Sequence, residues 1–156
     1  MSKSLSRVRA ALKASGETVQ LLEMPGSTRT AAEAAAAAGC AMDQIAKSII
    51  FRGETTGHAV LFLTAGGNRV DPAKAAALAG QPLGKADAAL IRAETGFAIG
   101  GVAPIGHLKP VDAWFDPRLS QFDTVWAAAG TPRHIFAIAP DRLLAITAAV
   151  VADFTF

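Results

Sequence analysis

The sequence predicts an α+β fold, with one curved, mixed and mostly antiparallel sheet, flanking helices, and a single domain over residues 1–156. Helix-like and strand-like segments are mixed along the chain, and several consecutive strand-like segments have no helical crossover between them. The composition supports a packed core, because 51% of the residues are hydrophobic and 18% are charged. We see no internal repeat or linker that would divide the chain.

The first third of the chain begins with an amphipathic helix, since Leu5, Val8 and Leu12 recur at helical spacing. An alanine-rich helix follows, and either Thr28 or Thr30 is placed to cap its free amides. The predicted elements of this part are a helix over residues 4–15, a strand over 18–23, a helix over 31–38 and a turn of helix over 42–45.

The middle of the chain contains a predicted antiparallel hairpin, because two strand-like runs flank a glycine-bounded turn. Asp71 and Pro72 mark a helix start, with the aspartate as cap and the proline at the first helical position. The predicted elements here are strands over residues 47–52 and 58–64 and helices over 71–79 and 86–95.

The last third reads as short strands separated by glycine and proline, ending in one helix and one further strand. The predicted elements are strands over residues 97–99, 111–115, 124–128 and 134–139, a helix over 141–148 and a strand over 151–156.

Composition excludes some functional classes. Cys40 is the single cysteine, so neither an intramolecular disulfide nor a thiolate metal cage can form. The three histidines show no metal-binding spacing, and we expect no metal and no cofactor. No apolar run is long enough for a membrane span, and the N-terminus lacks the apolar segment of a secretory signal. We therefore expect a cytoplasmic protein without membrane contact, and a monomer.

Lys47 is the first candidate for chemistry. In an extended strand it shares a face with Ile49 and Phe51, so its ammonium group lies on the more apolar side. An ammonium there is costly unless it is paired or borders a cleft. A lysine that reaches past the strand to water is the alternative explanation.

The segment GGVAPIGH, residues 100–107, is the second candidate. Its glycines let the backbone approach a ligand closely, and free main-chain amides can stabilise an oxyanion. A third candidate is the turn from Gly130 to His134, in which the histidine could act as an acid or base near neutral pH. Each segment could equally be an ordinary tight connection.

Together these segments resemble the YbaK family, also called the prolyl-tRNA-synthetase-associated editing domain. The resemblance covers nearly the whole chain. The matching segments, in order, are TRTAAEAAAAAG, QIAKSIIF, HAVLFLTAGGNRVD, TGFAIGGVAPIGH, VDAWFD and AGTPRHIFAI. The lysine of the family falls on Lys47, its GxxxP loop on Gly100 through Pro104, and its late glycine-rich turn on Gly130 to His134.

The resemblance implies a hydrolase that acts in trans on the ester of misacylated tRNA(Pro), removing alanine, cysteine or a similarly small amino acid. The implied partners are the acceptor end of that tRNA and prolyl-tRNA synthetase. The residues that we expect to be catalytic are Lys47, Gly100 and Gly101. The residues that we expect to bind the substrate are Thr30, Phe51, Ile99, Pro104, Gly106, His107, Gly130 and His134.

Two other functions remain open on the sequence. One is a module that binds tRNA or the synthetase with little catalysis of its own. The other is a hydrolase of some different small ester or amide that uses the same loop. Basic residues that could contact RNA phosphates are Arg7, Lys13, Lys74, Lys85 and Lys109.

Overall fold

The computed structural model describes residues 2–26 and 30–156 and has an α+β architecture with two open sheets. The helices are α1 (Lys3–Ala14), α2 (Ala31–Ala38), α3 (Pro72–Ala79), α4 (Ala88–Thr95) and α5 (Pro140–Thr147), with 3₁₀ turns at Met42–Gln44 and Pro117–Gln121. The strands are β1 (Gln20–Glu23), β2 (Ala46–Gly53), β3 (Ala59–Ala65), β4 (Leu83–Lys85), β5 (Asp112–Phe115), β6 (Val125–Ala128), β7 (His134–Ile138) and β8 (Val150–Val151).

The two sheets have different patterns of pairing. The three-stranded sheet has the order β1-β7-β6 and is antiparallel. The five-stranded sheet has the order β4-β2-β3-β5-β8, with antiparallel pairs around β2 and parallel pairs on either side of β5. The mixed, mostly antiparallel pairing that we expected is confirmed, but it is divided between two sheets.

Local signals placed most elements correctly. Thr30 caps α2 in a reciprocal capping box with Glu33, and Asp71 caps α3. The other proposed cap of α2, Thr28, lies outside the described residues. The predicted hairpin is confirmed as β2 and β3, which pair from Ala46 opposite Ala65 to Arg52 opposite Ala59.

Two predicted strands were wrong and a third strand was missed. Residues 97–99 form no strand, because the Phe97 N–H donates to Thr95 Oγ1 and the phenyl ring is buried in the main core. The last strand is limited to Val150 and Val151, followed by one bridge between Val70 and Thr155. The short strand β4 was not predicted.

The main core lies between α1, the five-stranded sheet and the three-stranded sheet. Three fully buried rings lie in this core: Phe97, which follows α4, Phe115 of β5 and Phe136 of β7. A second cluster under α2 contains Trp126 and Ile135. Within the described residues, no helix is long and apolar enough to cross a membrane.

Candidate active site

A cavity of about 690 Å³ lies where the two sheets separate. A single parallel bridge joins Ile45 to Trp126, and beyond it β2 and β6 make no further pairing. The cavity is lined by the β2 edge, by β6 and by parts of α2, α4 and the glycine loop. Its lining residues are Thr30, Ala31, Ala34, Ile45, Ala46, Lys47, Ser48, Ile49, Ile50, Gly66, Ile91, Ile99, Gly100, Val102, Trp126, Ala127, Ala128 and Ile135.

The β2 edge presents unpaired main-chain groups to this cavity. Alternate residues of an antiparallel strand direct their N–H and C=O groups to opposite sides. The Ala65 N–H donates to Asp116 at 3.0 Å rather than to β2, so Ala46, which lies opposite Ala65, has its main chain turned away from β3. Ser48 and Ile50 share that orientation, and their N–H and C=O groups therefore face the cavity.

Lys47 lines the cavity and is held by a polar network. Its ammonium group donates to the Asn68 carbonyl at 2.7 Å, and the Asn68 amide donates to Asp116 at 2.9 Å. Asp116 is only 2% exposed, and it also accepts from the Ala65 N–H. The side-chain position of Lys47 is thus fixed through the turn that follows β3.

Neighbouring groups have opposing effects on the pKa of Lys47. Burial lowers the pKa of the ammonium group below its usual value. The carboxylates of Asp43 and Asp116 oppose that shift, whereas the positive charge of Arg69 lowers the pKa further. Asp43 is itself kept ionised, because a hydrogen bond from Arg118 at 2.9 Å lowers the pKa of its carboxyl group.

The glycine loop contributes Ile99, Gly100 and Val102 to the cavity wall. Gly100 has a φ of 94°, a conformation that favours glycine. The main-chain N–H groups of Gly100 and Val102 donate to no described residue. Ile99 is 59% exposed, which places it at the mouth of the cavity.

Gly101 has a different position from the one we expected of a catalytic amide. Its N–H donates to the Ala98 carbonyl at 3.1 Å, so this amide is already used, and the residue does not line the cavity. A Cβ atom at Gly101 would lie 2.8 Å from the Cα of Thr131. Gly101 therefore allows the loop to pack closely against the turn that begins at Gly130.

The turn from Gly130 to His134 packs against the glycine loop and is not among the residues that line the cavity. Gly130 has a φ of 97°, and a Cβ atom there would meet the Ser4 carbonyl at 2.8 Å. His134 is tied to the same turn by a 2.6 Å hydrogen bond between its Nδ1 and Thr131 Oγ1. The two glycine segments are thus in contact.

Pro104, Gly106 and His107 line a second groove, of about 620 Å³, on the other side of the loop. His107 donates from Nε2 to the Ala103 carbonyl at 2.7 Å, and burial lowers the pKa of its imidazole. Arg7 also holds this region, because its Nε donates to the Gly106 carbonyl at 2.8 Å. Arg7 therefore anchors the loop, although the sequence had suggested it as an RNA contact.

Phe51 lies away from the cavity. Its ring packs edge-on against Phe62, with centroids 5.8 Å apart, in a separate aromatic cluster. The structure therefore brings Thr30, Lys47, Ile99 and Gly100 together and leaves the other predicted substrate-binding residues outside the cavity wall.

Sequence reasoning missed two parts of this site. Trp126 and Ile135 form the wall contributed by the three-stranded sheet, and Ser48 lies beside Lys47 on the β2 edge. The alternation of β2 gave no signal for Ser48, because it places the Ser48 side chain on the opposite face from Lys47. No local signal linked Trp126 or Ile135 to the lysine.

Comparison with known proteins gives one consistent result. The family model of the aminoacyl-tRNA editing domain matches residues 26–146. A crystal structure described as a candidate trans-editing enzyme for prolyl-tRNA synthetase is 48% identical, with a TM-score of 0.93 over 100% of this chain and 99% of that chain. A solved hypothetical protein is 31% identical, with a TM-score of 0.87 over 96% of this chain and 99% of its own. The uncharacterized protein YwhH of Bacillus subtilis (strain 168) is 29% identical over 140 residues, which cover 90% of this chain and 88% of YwhH.

Proposed function

The chain belongs to the aminoacyl-tRNA editing domain family, and we propose that it hydrolyses the ester of small, wrongly attached amino acids on tRNA(Pro). The observation that carries the proposal is the shared cavity, which places Lys47 and the amide-bearing loop around one space. The similarity to a solved structure described as a candidate trans-editing enzyme for prolyl-tRNA synthetase supports the choice of tRNA. In this proposal the protein acts in the cytoplasm on the acceptor end of the charged tRNA, alone or together with prolyl-tRNA synthetase.

The cavity wall fits a site that selects by size. Ile45, Trp126 and Ile135 make one side of it apolar and rigid, since all three are buried in the second core cluster. A synthetase pocket rejects a smaller amino acid weakly, because one missing methylene is worth only about 1–3 kcal/mol. A second site that admits only the smaller amino acids corrects that error.

The chemistry needs few protein groups, because an aminoacyl ester is already reactive. Water attacks the carbonyl carbon, negative charge develops on the carbonyl oxygen, and the ester bond to the ribose oxygen then breaks. The products are the free amino acid and a tRNA with a restored 3′-hydroxyl. In our proposal the N–H groups of Gly100 and Val102 stabilise the developing oxyanion. They take the role that the sequence suggested for Gly101, whose amide is bonded to Ala98.

Lys47 provides the positive charge of the site. We assign it to the terminal nucleotide or to the phosphate next to it, where an ammonium group also favours the negatively charged transition state. The free 2′-hydroxyl of the terminal adenosine orients the attacking water. This arrangement requires no protein side chain as general base.

The test is a deacylation panel with the purified protein alone. The substrates are tRNA(Pro) charged with alanine, cysteine, serine, threonine or proline, together with alanine methyl ester. We expect release of a small amino acid, retention of proline, and little turnover of the methyl ester. Binding of charged tRNA without release would support a binding module instead. Equal activity on the methyl ester would support a general small-ester hydrolase.

A further inference from the structure

The side-chain hydroxyl of Ser48 is buried and has no hydrogen-bond partner among the described residues. Buried polar groups are nearly always paired, because leaving one unpaired destabilises the folded protein. Ser48 also lines the cavity, directly beside Lys47 in sequence. An unpaired hydroxyl at this position indicates a group whose partner arrives with the ligand.

The other polar side chains that line the cavity are less able than Ser48 to accept a hydrogen bond from a ligand. Thr30 Oγ1 accepts from the Glu33 N–H at 3.1 Å and donates to its carboxylate at 3.0 Å. Lys47 and Trp126 carry donors only. Among the described lining residues, Ser48 therefore has the one side-chain hydroxyl that makes no hydrogen bond.

The surroundings of Ser48 add acceptors of the same kind. The main-chain carbonyls of Ser48 and Ile50 point toward the cavity from the unpaired β2 edge. No Asp or Glu is among the described lining residues. Among the described lining residues, the acceptors that an ammonium group could reach are therefore the neutral oxygens of the β2 edge. Strand alternation places the Ser48 side chain on the opposite face of β2 from the ammonium group of Lys47.

We propose that Ser48 Oγ and the neighbouring carbonyls of β2 bind the α-ammonium group of the amino acid that is removed. This inference rests on the proposed function. It makes Ser48 a specificity-determining residue and fixes the orientation of the acyl group, with the amine at β2 and the ester carbonyl at the N–H groups of Gly100 and Val102. A primary ammonium offers three hydrogens to this edge, whereas the ring nitrogen of a prolyl ester offers two. The β2 edge therefore disfavours the correct product as well.

The test compares two substrates that differ only at the amine. These are alanyl-tRNA(Pro) and propionyl-tRNA(Pro), in which a hydrogen replaces the α-ammonium group. For Ser48→Ala we expect kcat/KM on the alanyl substrate to fall at least tenfold, about 1.4 kcal/mol. On the propionyl substrate we expect a change of less than twofold. Ser48→Thr keeps the hydroxyl and should retain most of the alanyl activity.

Thermal unfolding gives a second, independent measurement. Because Ser48→Ala removes an unpaired buried hydroxyl, we expect its Tm to rise by about 2–4 °C while its activity falls. A lower Tm would show that the hydroxyl has a structural partner and would overturn the inference, as would an equal loss on both substrates. If the unsubstituted protein releases neither acyl group, the proposed function fails, and this inference fails with it. An active protein that is indifferent to Ser48→Ala refutes the inference alone.

Discussion

The substitution Gly101→Ala tests whether the close contact between the loop and the turn is needed for catalysis. The added Cβ would lie 2.8 Å from the Thr131 Cα and 2.9 Å from its nitrogen. Both are main-chain atoms, so no flexible side chain can move aside. To restore an ordinary contact, the loop and the turn have to separate by about 0.6 Å, and a misplacement near 1 Å can cost about 10²-fold in rate.

We therefore expect Gly101→Ala to reduce the single-turnover rate of alanyl-tRNA(Pro) deacylation by about ten- to a hundredfold. Overpacking should also lower the free energy of unfolding by about 1–3 kcal/mol. The matched control is Gly80→Ala. Gly80 has a φ of 70°, and a Cβ built there meets no non-neighbouring atom within 4 Å in the described part of the chain. The residue is not among those that line the cavity.

Backbone strain should make the control lose about 1–2 kcal/mol of stability without losing activity. The two variants thus separate loss of stability from loss of loop geometry. If Gly101→Ala deacylates at the rate of the Gly80→Ala control, the contact between the loop and the turn has no part in catalysis, and our account of Gly101 is refuted.

Three further predictions concern charge and size. Lys47→Ala should lower kcat/KM by at least about tenfold. The pKa of Lys47 is lowered, so its ammonium group loses its proton at a pH below the usual lysine pKa of about 10.4. The activity of the unsubstituted protein should therefore begin to fall before the pH reaches that value. A pH–rate profile corrected for spontaneous hydrolysis would show this decline. Ile135→Val should lower the free energy of unfolding by about 0.5–1.5 kcal/mol. It should also raise the ratio of the deacylation rate on 2-aminobutyryl-tRNA to that on alanyl-tRNA by about tenfold. An unchanged ratio of these two rates would exclude Ile135 from size selection. Burial raises the pKa of the Glu94 carboxyl group, but hydrogen bonds from His58 and the Ala59 N–H outweigh that effect and leave the pKa lowered. The stability that Glu94 contributes is present above an unfolded-state pKa of about 4.3 and is lost as pH falls through the folded-state pKa. Glu94→Gln should therefore destabilise by about 1–3 kcal/mol at pH 7 and by less below pH 4, and urea unfolding at both pH values would check it.

Local chemistry explains which elements could be predicted. The Thr30 cap, the Asp71-Pro72 helix start and the β2–β3 hairpin each depend on residues close in sequence. Residues 97–99 were predicted wrongly because two contacts that hydropathy does not reveal hold Phe97, the local bond from its N–H to Thr95 Oγ1 and the packing of Arg7 on its ring. Arg7 lies 4.5 Å from the centroid of the Phe97 ring and donates to the Gly106 carbonyl, and these contacts fix an irregular path where the hydropathy pattern suggested a strand.

In the candidate site, too, features that depend on nearby residues could be predicted, whereas those that depend on distant residues could not. Strand alternation placed Lys47 and Phe51 on one face, but it did not say where along the strand the cavity ends. Phe51 lies where β4 joins β2, and its ring packs in the aromatic cluster around Phe62. The wall containing Trp126 comes from a separate sheet, and long-range contacts bring it near the lysine, among them the bridge to Ile45 and the hydrogen bond from Gln44 to the Thr124 carbonyl.

Because β2 and β6 separate beyond that single bridge, the two sides of the cavity can change independently by substitution. Lys47 is anchored through the Asn68 turn and the loop through Arg7, whereas the opposite wall is anchored in another sheet. Exchange of a wall residue such as Ile135 can therefore alter which amino acid enters, while the groups assigned to the chemistry stay in place. Substitutions in the three-stranded sheet alone can therefore change the amino acid that the cavity accepts.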